Sequence, residues 1–220
     1  MSSALPMPQR PLLRGWLHLL SAPVALVGAI VLWRSTTTMP GRVTATIFGA
    51  CLFGLYVASS TYHVPNWSSR VRDILGRIDA AMIVLTIVGT FTPIAYHALD
   101  GAWRTSSLTV AWVVAAGAIV LIASPLRVPR WLHALSAIAI GWLAVVPFVR
   151  IAATLPATGN WLIVLGGVLY TVGAIAYIMR WPDPFPRWFG YHEIFHLLVV
   201  AASALHWVAI WRYVLPIGHA

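Results

Sequence analysis

Two histidines, His192 and His196, stand four residues apart at the start of the last long apolar stretch of the chain. If this stretch is helical, the two imidazoles lie one turn apart on the same face. Such a pair can hold one metal ion from a single side. A polar side chain inside such an apolar stretch costs free energy, so its presence there favours a functional interpretation. The alternative is that both imidazoles hydrogen-bond to neighbouring helices.

The composition predicts an integral membrane protein. Of the 220 residues, 60% are hydrophobic and only 9% are charged, whereas a soluble domain carries about a quarter charged residues. All 14 basic residues are arginine, and they stand singly or in small groups at the ends of apolar runs. Because the arginines form no cluster that could line a nucleic-acid groove, the formal net charge of +9 is attributed to membrane orientation, and no nucleic-acid partner is expected. The single Cys51 excludes an intrachain disulfide.

Seven apolar runs come close to the roughly 20 residues that a helix needs to cross a bilayer. They cover residues 16–33, 43–63, 79–97, 106–124, 131–151, 161–180 and 192–212. The first run has no cleavage site typical of a signal peptide and is interpreted as a retained span. The predicted fold is an all-α integral membrane protein, a seven-transmembrane helix bundle at 16–212 between tails at 1–15 and 213–220.

The arginines predict the orientation of this bundle. Seven spans put the two termini on opposite sides, with nine of the 14 arginines on the N-terminal side and five on the other. Because cytoplasmic loops carry the excess of positive residues, we expect a cytoplasmic N-terminus and an extracytoplasmic C-terminal tail.

This topology places the polar ends of three spans at the same membrane face. The second span ends with Ser59 and His63, the third starts with Asp79, and the seventh starts with His192 and His196. Three nitrogen ligands and a water form the open coordination of catalytic Zn²⁺, so the set predicts a zinc site. Asp79 is either a fourth ligand or the group that holds and deprotonates the water. Ser59 shares a helix face with His63, and its hydroxyl either donates to a metal-bound oxygen or bonds back to its own helix.

Two further histidines are not assigned to this set. His206 lies ten residues beyond His196, about 15 Å along a helix, and is expected to bond to a neighbouring helix. His18 begins the first span on the same side as the site, but nothing in the sequence brings it within reach.

A protease is the least favoured alternative. Residues 192–196 also match the pattern H-E-x-x-H, in which Glu193 would be the general base. Intramembrane metalloproteases with this pattern also carry a later Asp-Gly ligand motif. Here Asp100, followed by Gly101, precedes the histidine pair. Asp100 also falls in the loop after the third span, on the opposite membrane face.

Five stretches extend this pattern over nearly the whole chain. They are S-S-T-Y-H at 59–63, R-I-D at 77–79, G-T-F-T-P at 89–93, W-P-D-P-F-P at 181–186 and F-G-Y-H-E-I-F-H at 189–196. With seven spans, they resemble the hemolysin III proteins, bacterial members of the wider adiponectin-receptor-like (progestin and adipoQ receptor, PAQR) family. The resemblance implies a multi-pass protein of the bacterial inner membrane. Hemolysin III members usually have histidine after the aspartate, where this chain has Ala80.

The resemblance also implies a chemistry. The family is similar to alkaline ceramidases in its Ser, His, Asp and His-x-x-x-His set. This similarity implies a zinc ion held by His63, His192 and His196, with Asp79 and Ser59 around a zinc-bound water. It further implies an amidase-like hydrolysis of lipids in some relatives.

Three functions follow as hypotheses. The first is a zinc-dependent hydrolase of a lipid amide or ester, or a descendant of one, that takes its substrate from the inner leaflet. The second is a non-enzymatic protein, stapled by zinc, that maintains or senses the bilayer or acts as a receptor. The third is a cytolytic channel, as the family label suggests. Membrane lipids are the expected partners, and the sequence indicates no particular protein partner.

Overall fold

The protein is a bundle of eight α-helices in the computed structural model, which describes residues 11–126 and 128–219. The helices are α1 Trp16–Arg34, α2 Met39–His63, α3 Ser69–Ala98, α4 Gly101–Ala123, α5 Arg130–Trp142, α6 Val145–Thr154, α7 Ala157–Met179 and α8 Tyr191–Ala209. A π-helical turn, Ile210–Val214, and a 3₁₀ turn, Leu215–His219, continue α8. Within the described ranges no β-strand forms, and one isolated β-bridge joins Phe185 to Phe189.

Length and composition make this a membrane bundle. Six of the helices are long and apolar enough to cross a bilayer, and α5 and α6, bent by 40°, form a seventh span if counted together. The all-α integral membrane bundle predicted from the sequence is thereby confirmed.

The bend between α5 and α6 has a local cause. Pro147 lies in the first turn of α6. It has no N–H to donate, and its ring would clash with the carbonyl of the residue four positions earlier, Leu143. The helix therefore breaks at Leu143 and restarts at Val145. The apolar run at 131–151 is thus one span in composition but two helices in structure.

Two helix boundaries differ from the apolar runs. Helix α3 begins at Ser69, well before Asp79, because its first turns carry arginines that lower the hydropathy but are good helix formers. At the other end of the chain, helical structure continues beyond Arg212, and Val214 and Leu215 are buried. Hydropathy marks the apolar core of a span, whereas a helix also includes the charged turns outside that core.

The helices pack largely in chain order. Helix α2 packs against α1 and α3, α3 against α4 and α5, α5 against α7, and α8 against α7 and α1. The close contact of α7 with α8 requires a small residue at Gly166, where a Cβ would meet the ring of His206. The return of α8 to α1 brings the start of the last span beside the end of the second, and this determines where the polar residues meet.

Candidate metal centre

Local sequence ends α2 and begins α8 beside the site. Helix α2 ends at His63 because Pro65 has no backbone N–H with which to continue the helical hydrogen bonds. Helix α8 begins at Tyr191, and carboxylates satisfy the backbone N–H groups there. Glu193 Oε2 accepts from Gly190 N at 2.8 Å. Asp183 Oδ1 accepts from Tyr191 N at 3.2 Å. The histidines of α8 therefore lie in its first two turns.

Three buried histidines form the centre of the site. His63, His192 and His196 each offer one ring nitrogen, and these three atoms lie within 4.8 Å of one another. Nε2 of His63 lies 3.2 Å from Nε2 of His192. Two tetrahedral ligands at 2.0–2.1 Å from a zinc ion would be roughly 3.3–3.4 Å apart. The predicted convergence of the three imidazoles is confirmed, and the donor set could hold a metal ion.

Asp79 stands next to this triad. Its Oδ2 lies 3.6 Å from Nε2 of His63, and its side chain is 15% exposed. This distance suits either a fourth ligand or a carboxylate that reaches the ion through a water, so both of the predicted roles stay predictions.

Ser59 lies one turn before His63 on α2 and is 1% exposed. The next residue, Ser60, donates back to Val57 O at 3.0 Å, as serines in helices commonly do. No hydrogen bond joins the Ser59 hydroxyl to any described residue, and the residue lines the cavity in front of the histidines. Its hydroxyl can therefore donate to a molecule in that cavity.

Glu193, the acid of the H-E-x-x-H pattern, has a structural role. It is 1% exposed. Besides capping α8, it accepts through Oε1 from Nε of Arg14. Arg14 reaches it because the N-terminal segment pairs with the loop before α8, where Leu12 N donates to Arg187 O at 3.0 Å. Both carboxylate oxygens are therefore engaged, and Glu193 is not positioned as a free general base. Arg14 is a neighbour of the site that no sequence pattern indicated.

The Asp-Gly pair that a protease would need lies far from the histidines. Asp100 is exposed and precedes α4. It follows the end of α3 distant from Asp79, about 30 Å along the helix axis. The structure thus brings neither acidic residue of the protease pattern into a catalytic position.

His18 is the second neighbour that the sequence did not identify. Its ring stacks on that of His196 with centroids 4.0 Å apart and planes 3° apart. It is 2% exposed, and neither ring nitrogen has a hydrogen-bond partner among the described residues. Only the position of His18 at the N-terminal end of the first apolar run, on the same side of the predicted bundle as the triad, could have indicated this contact. His206, by contrast, meets Ile163 O of α7 through Nε2 at 3.0 Å, the helix–helix bond that was predicted.

A large cavity opens in front of the triad. Its volume is about 1780 Å³, and its lining includes Ser59, His63, Asp79, His192 and His196. Ordinary small-molecule sites have volumes of about 300–1,000 Å³. Most of the lining surface is apolar and comes from α3, α4, α5 and α7. The arrangement therefore joins a polar, metal-competent end to a long apolar compartment.

Comparisons with known proteins agree with this architecture. The family model described as "Haemolysin-III related" matches residues 7–207. A "Hemolysin-3 homolog" of Bacillus subtilis (strain 168) is 32% identical over 195 residues, which cover 89% of this chain and 88% of that protein. The human "Monocyte to macrophage differentiation factor" is 24% identical over 193 residues, 86% of this chain and 78% of that protein.

The similarity extends to receptors of the wider family. The "Adiponectin receptor protein" of Drosophila melanogaster is 26% identical over 223 residues, 89% of this chain and 48% of that protein. The family match covers nearly the whole chain and includes every residue of the histidine site. The chain is therefore a multi-pass membrane protein that belongs to the hemolysin III family, within the adiponectin-receptor-like (PAQR) family.

Proposed function

We propose that this protein is a zinc-dependent hydrolase of a lipid amide or ester. One observation carries the proposal: the buried triad His63, His192 and His196 lies at one end of an apolar cavity of about 1780 Å³. A purely structural metal site is closed by protein ligands and has no use for such a compartment. The cavity is large enough for a long acyl chain whose carbonyl lies beside the triad.

Zinc is the metal that suits this donor set. Three neutral imidazoles in a tetrahedral arrangement are the ligands of catalytic zinc sites. Bound there, Zn²⁺ would polarise a carbonyl group and make water a nucleophile at neutral pH.

Asp79 and Ser59 divide the remaining chemistry. Asp79, with Oδ2 3.6 Å from His63 Nε2, accepts a proton from the attacking water. The oxygen of that water adds to the acyl carbon, and the bond from this carbon to the amide nitrogen or the ester oxygen breaks. The proton then passes to the departing nitrogen or oxygen, so the products are a fatty acid and an amine or alcohol. Ser59 donates to the carbonyl oxygen as its negative charge develops.

We further propose that the protein lies in the bacterial inner membrane with its N-terminus in the cytoplasm. The distribution of arginines, nine on the N-terminal side and five on the other, supports this orientation. The triad lies at the N-terminal side of the bundle, at the end of α2 and the start of α8. The substrate would then enter from the inner leaflet.

A non-enzymatic role is the second candidate, because the ligands come from two different helices. His63 belongs to α2, which packs on α1 and α3, whereas His192 and His196 belong to α8, which packs on α7 and α1. A metal ion would join these two helices and stabilise the bundle without catalysis. The name "Hemolysin-3", carried by a Bacillus cereus relative 32% identical over 201 residues, makes cytolysis a third outcome to test.

Lipid analysis of cells distinguishes these functions. Cells that express the wild type are compared with cells that express His196→Ala at equal protein level. A hydrolase predicts that one class of lipid amide or ester accumulates in the variant while its fatty acid falls. Unchanged lipids, together with loss of thermal stability in the variant, would favour the non-enzymatic role, in which the metal ion only stabilises the bundle. Lysis of erythrocytes by the wild type alone would favour the cytolytic role.

The purified protein provides the stricter test. Asp79→Asn should lower the rate of hydrolysis about 10²–10⁴-fold, the usual contribution of a general base. Asp100→Asn is the matched control, since Asp100 is an exposed aspartate at the other end of the bundle, and it should leave the rate unchanged. Equal rates in the two variants would contradict the role given to Asp79.

A further inference from the structure

A second, smaller cavity lies at the end of the bundle opposite the metal centre. Its volume is about 400 Å³. The start of α2, the end of α3, the start of α4 and the C-terminal turn form its walls. Its lining residues are Thr38, Pro40, Tyr96, His97, Arg104 and Ile217. These helix ends are where a bilayer would place its headgroups, and Trp33 and Trp103 stand at the same level, as interfacial tryptophans do.

Arg104 is held in one position within this cavity. Its Nε donates to Leu99 O at 2.7 Å, and its guanidinium lies 4.8 Å from the ring centroid of Tyr96. The structure records no hydrogen bond from its two terminal nitrogens to any described residue. The guanidinium of Arg104 is therefore held in place, and its two terminal nitrogens remain available to donate hydrogen bonds to a ligand.

No carboxylate balances this charge. None of the residues that line the cavity is acidic. Asp100 precedes Arg104 by one turn but forms no ion pair with it. Among the described residues, the one arginine that pairs with a carboxylate is Arg14, which binds Glu193. Five arginines and one aspartate lie at this end of the bundle, namely Arg34, Arg42, Arg104, Arg150, Arg212 and Asp100. The local charge therefore favours an anionic ligand.

The opposite wall is polar and hydrogen-bonded. Thr44 donates its hydroxyl hydrogen to carbonyls of Pro40 and Gly41 at 3.0 and 3.1 Å. Its hydroxyl oxygen also lies 3.1 Å from Nε2 of His97, in a hydrogen bond whose donor is set by the tautomer of the imidazole. His97 is fixed by this bond on the side of the cavity that faces α2. The site thus combines a hydrogen-bonded polar wall, a cation with free donors and a position at headgroup depth.

From these observations we infer that the cavity binds a phosphate group through Arg104. A planar guanidinium with two free terminal nitrogens matches two phosphate oxygens. The phosphate would belong to the headgroup of an anionic phospholipid or to soluble phosphate, and the two sources differ in how they reach the cavity. This site is independent of the metal centre and of the hydrolase proposal.

Thermal unfolding of the full-length protein in detergent tests the inference. Phosphatidylglycerol, phosphatidylethanolamine and inorganic phosphate are each titrated into the wild type, with chloride as the salt control. Arg104→Gln removes both the positive charge and the paired guanidinium donors, whereas Arg104→Lys keeps the charge and loses the paired donors. Arg150→Gln is the matched control, because Arg150 also stacks on an aromatic ring, 4.6 Å from the centroid of Trp103, yet does not line the cavity.

We expect phosphatidylglycerol to raise the melting temperature of the wild type and of Arg150→Gln by several degrees. Arg104→Gln should need at least about tenfold more lipid, since it loses charge-assisted hydrogen bonds, and Arg104→Lys should fall between them. The same dependence on Arg104 with inorganic phosphate alone would identify soluble phosphate as the ligand. If neither phosphate source protects the wild type, or if Arg104→Gln and Arg104→Lys respond like the wild type, the inference is wrong.

Discussion

Replacing His192 with alanine tests the metal centre most directly. His192 is 8% exposed, lies on α8 and approaches His63 of α2 at 3.2 Å between their Nε2 atoms. Removing it leaves His63 and His196, one imidazole on each of two helices. His206→Ala is the matched control, because His206 is also 8% exposed on α8 but bonds to Ile163 O. We expect wild-type protein to carry about one zinc ion per chain, since three histidines form one site.

The size of the effect follows from linkage. If free zinc exceeds its dissociation constant a thousandfold, binding stabilises the wild type by about 4.1 kcal/mol. Loss of a residue that only orients a zinc ligand or the bound water weakens zinc binding about 10–100-fold, and loss of a direct ligand should weaken it further. A 100-fold loss leaves about 1.4 kcal/mol of stabilisation. His192→Ala should therefore lose more than about 2.7 kcal/mol of zinc-dependent stability, a shift of roughly 5–10 °C in melting temperature.

Elemental analysis and thermal unfolding in detergent, with and without a chelator, measure both quantities. The chelated samples give the cost of the missing side chain alone, because alanine also leaves a cavity. The zinc-dependent shift should nearly vanish in His192→Ala and persist in His206→Ala. If Asp79 reaches the ion through a water, Asp79→Ala should keep part of this shift, because its Oδ2 is 3.6 Å from His63 Nε2 and loss of a residue that only holds a ligand or the water weakens zinc binding about 10–100-fold. Full zinc retention in His192→Ala, or wild-type protein without zinc, would refute the metal site.

Three further predictions concern packing, the helix cap and orientation. Gly166→Ala should lower stability by about 1–3 kcal/mol, because its Cβ would meet a buried imidazole, whereas Gly167→Ala, with nothing within 4 Å, should be neutral or slightly stabilising in thermal unfolding. Glu193→Gln should cost about 1–3 kcal/mol by leaving the arginine that it binds without a charged partner, and an unchanged melting temperature would contradict this. Alkaline phosphatase fused after Ala220 should be active and after Leu126 inactive, as the distribution of arginines requires, and the reverse activities would invert the proposed orientation.

Much of the bundle could be predicted because hydropathy reports burial in lipid directly. The seven apolar runs correspond to α1, α2, α3, α4, the bent pair α5–α6, α7 and α8. The early start of α3 at Ser69 and the break at Leu143 could not be read from hydropathy. Charged turns outside the apolar core are still helical, and a helix can break where the composition stays apolar.

The sequence by itself determined the membrane class and the placement of His63, His192 and His196 at one membrane face. Both follow from local rules, since apolar length defines the spans and alternation of spans brings the ends of α2 and α8 to one face. Only the tertiary structure decided that His18 stacks on His196 and that Arg14 reaches Glu193. These contacts depend on which helices are neighbours and how each is rotated about its axis. That choice is made by packing across the whole bundle, and no single segment encodes it.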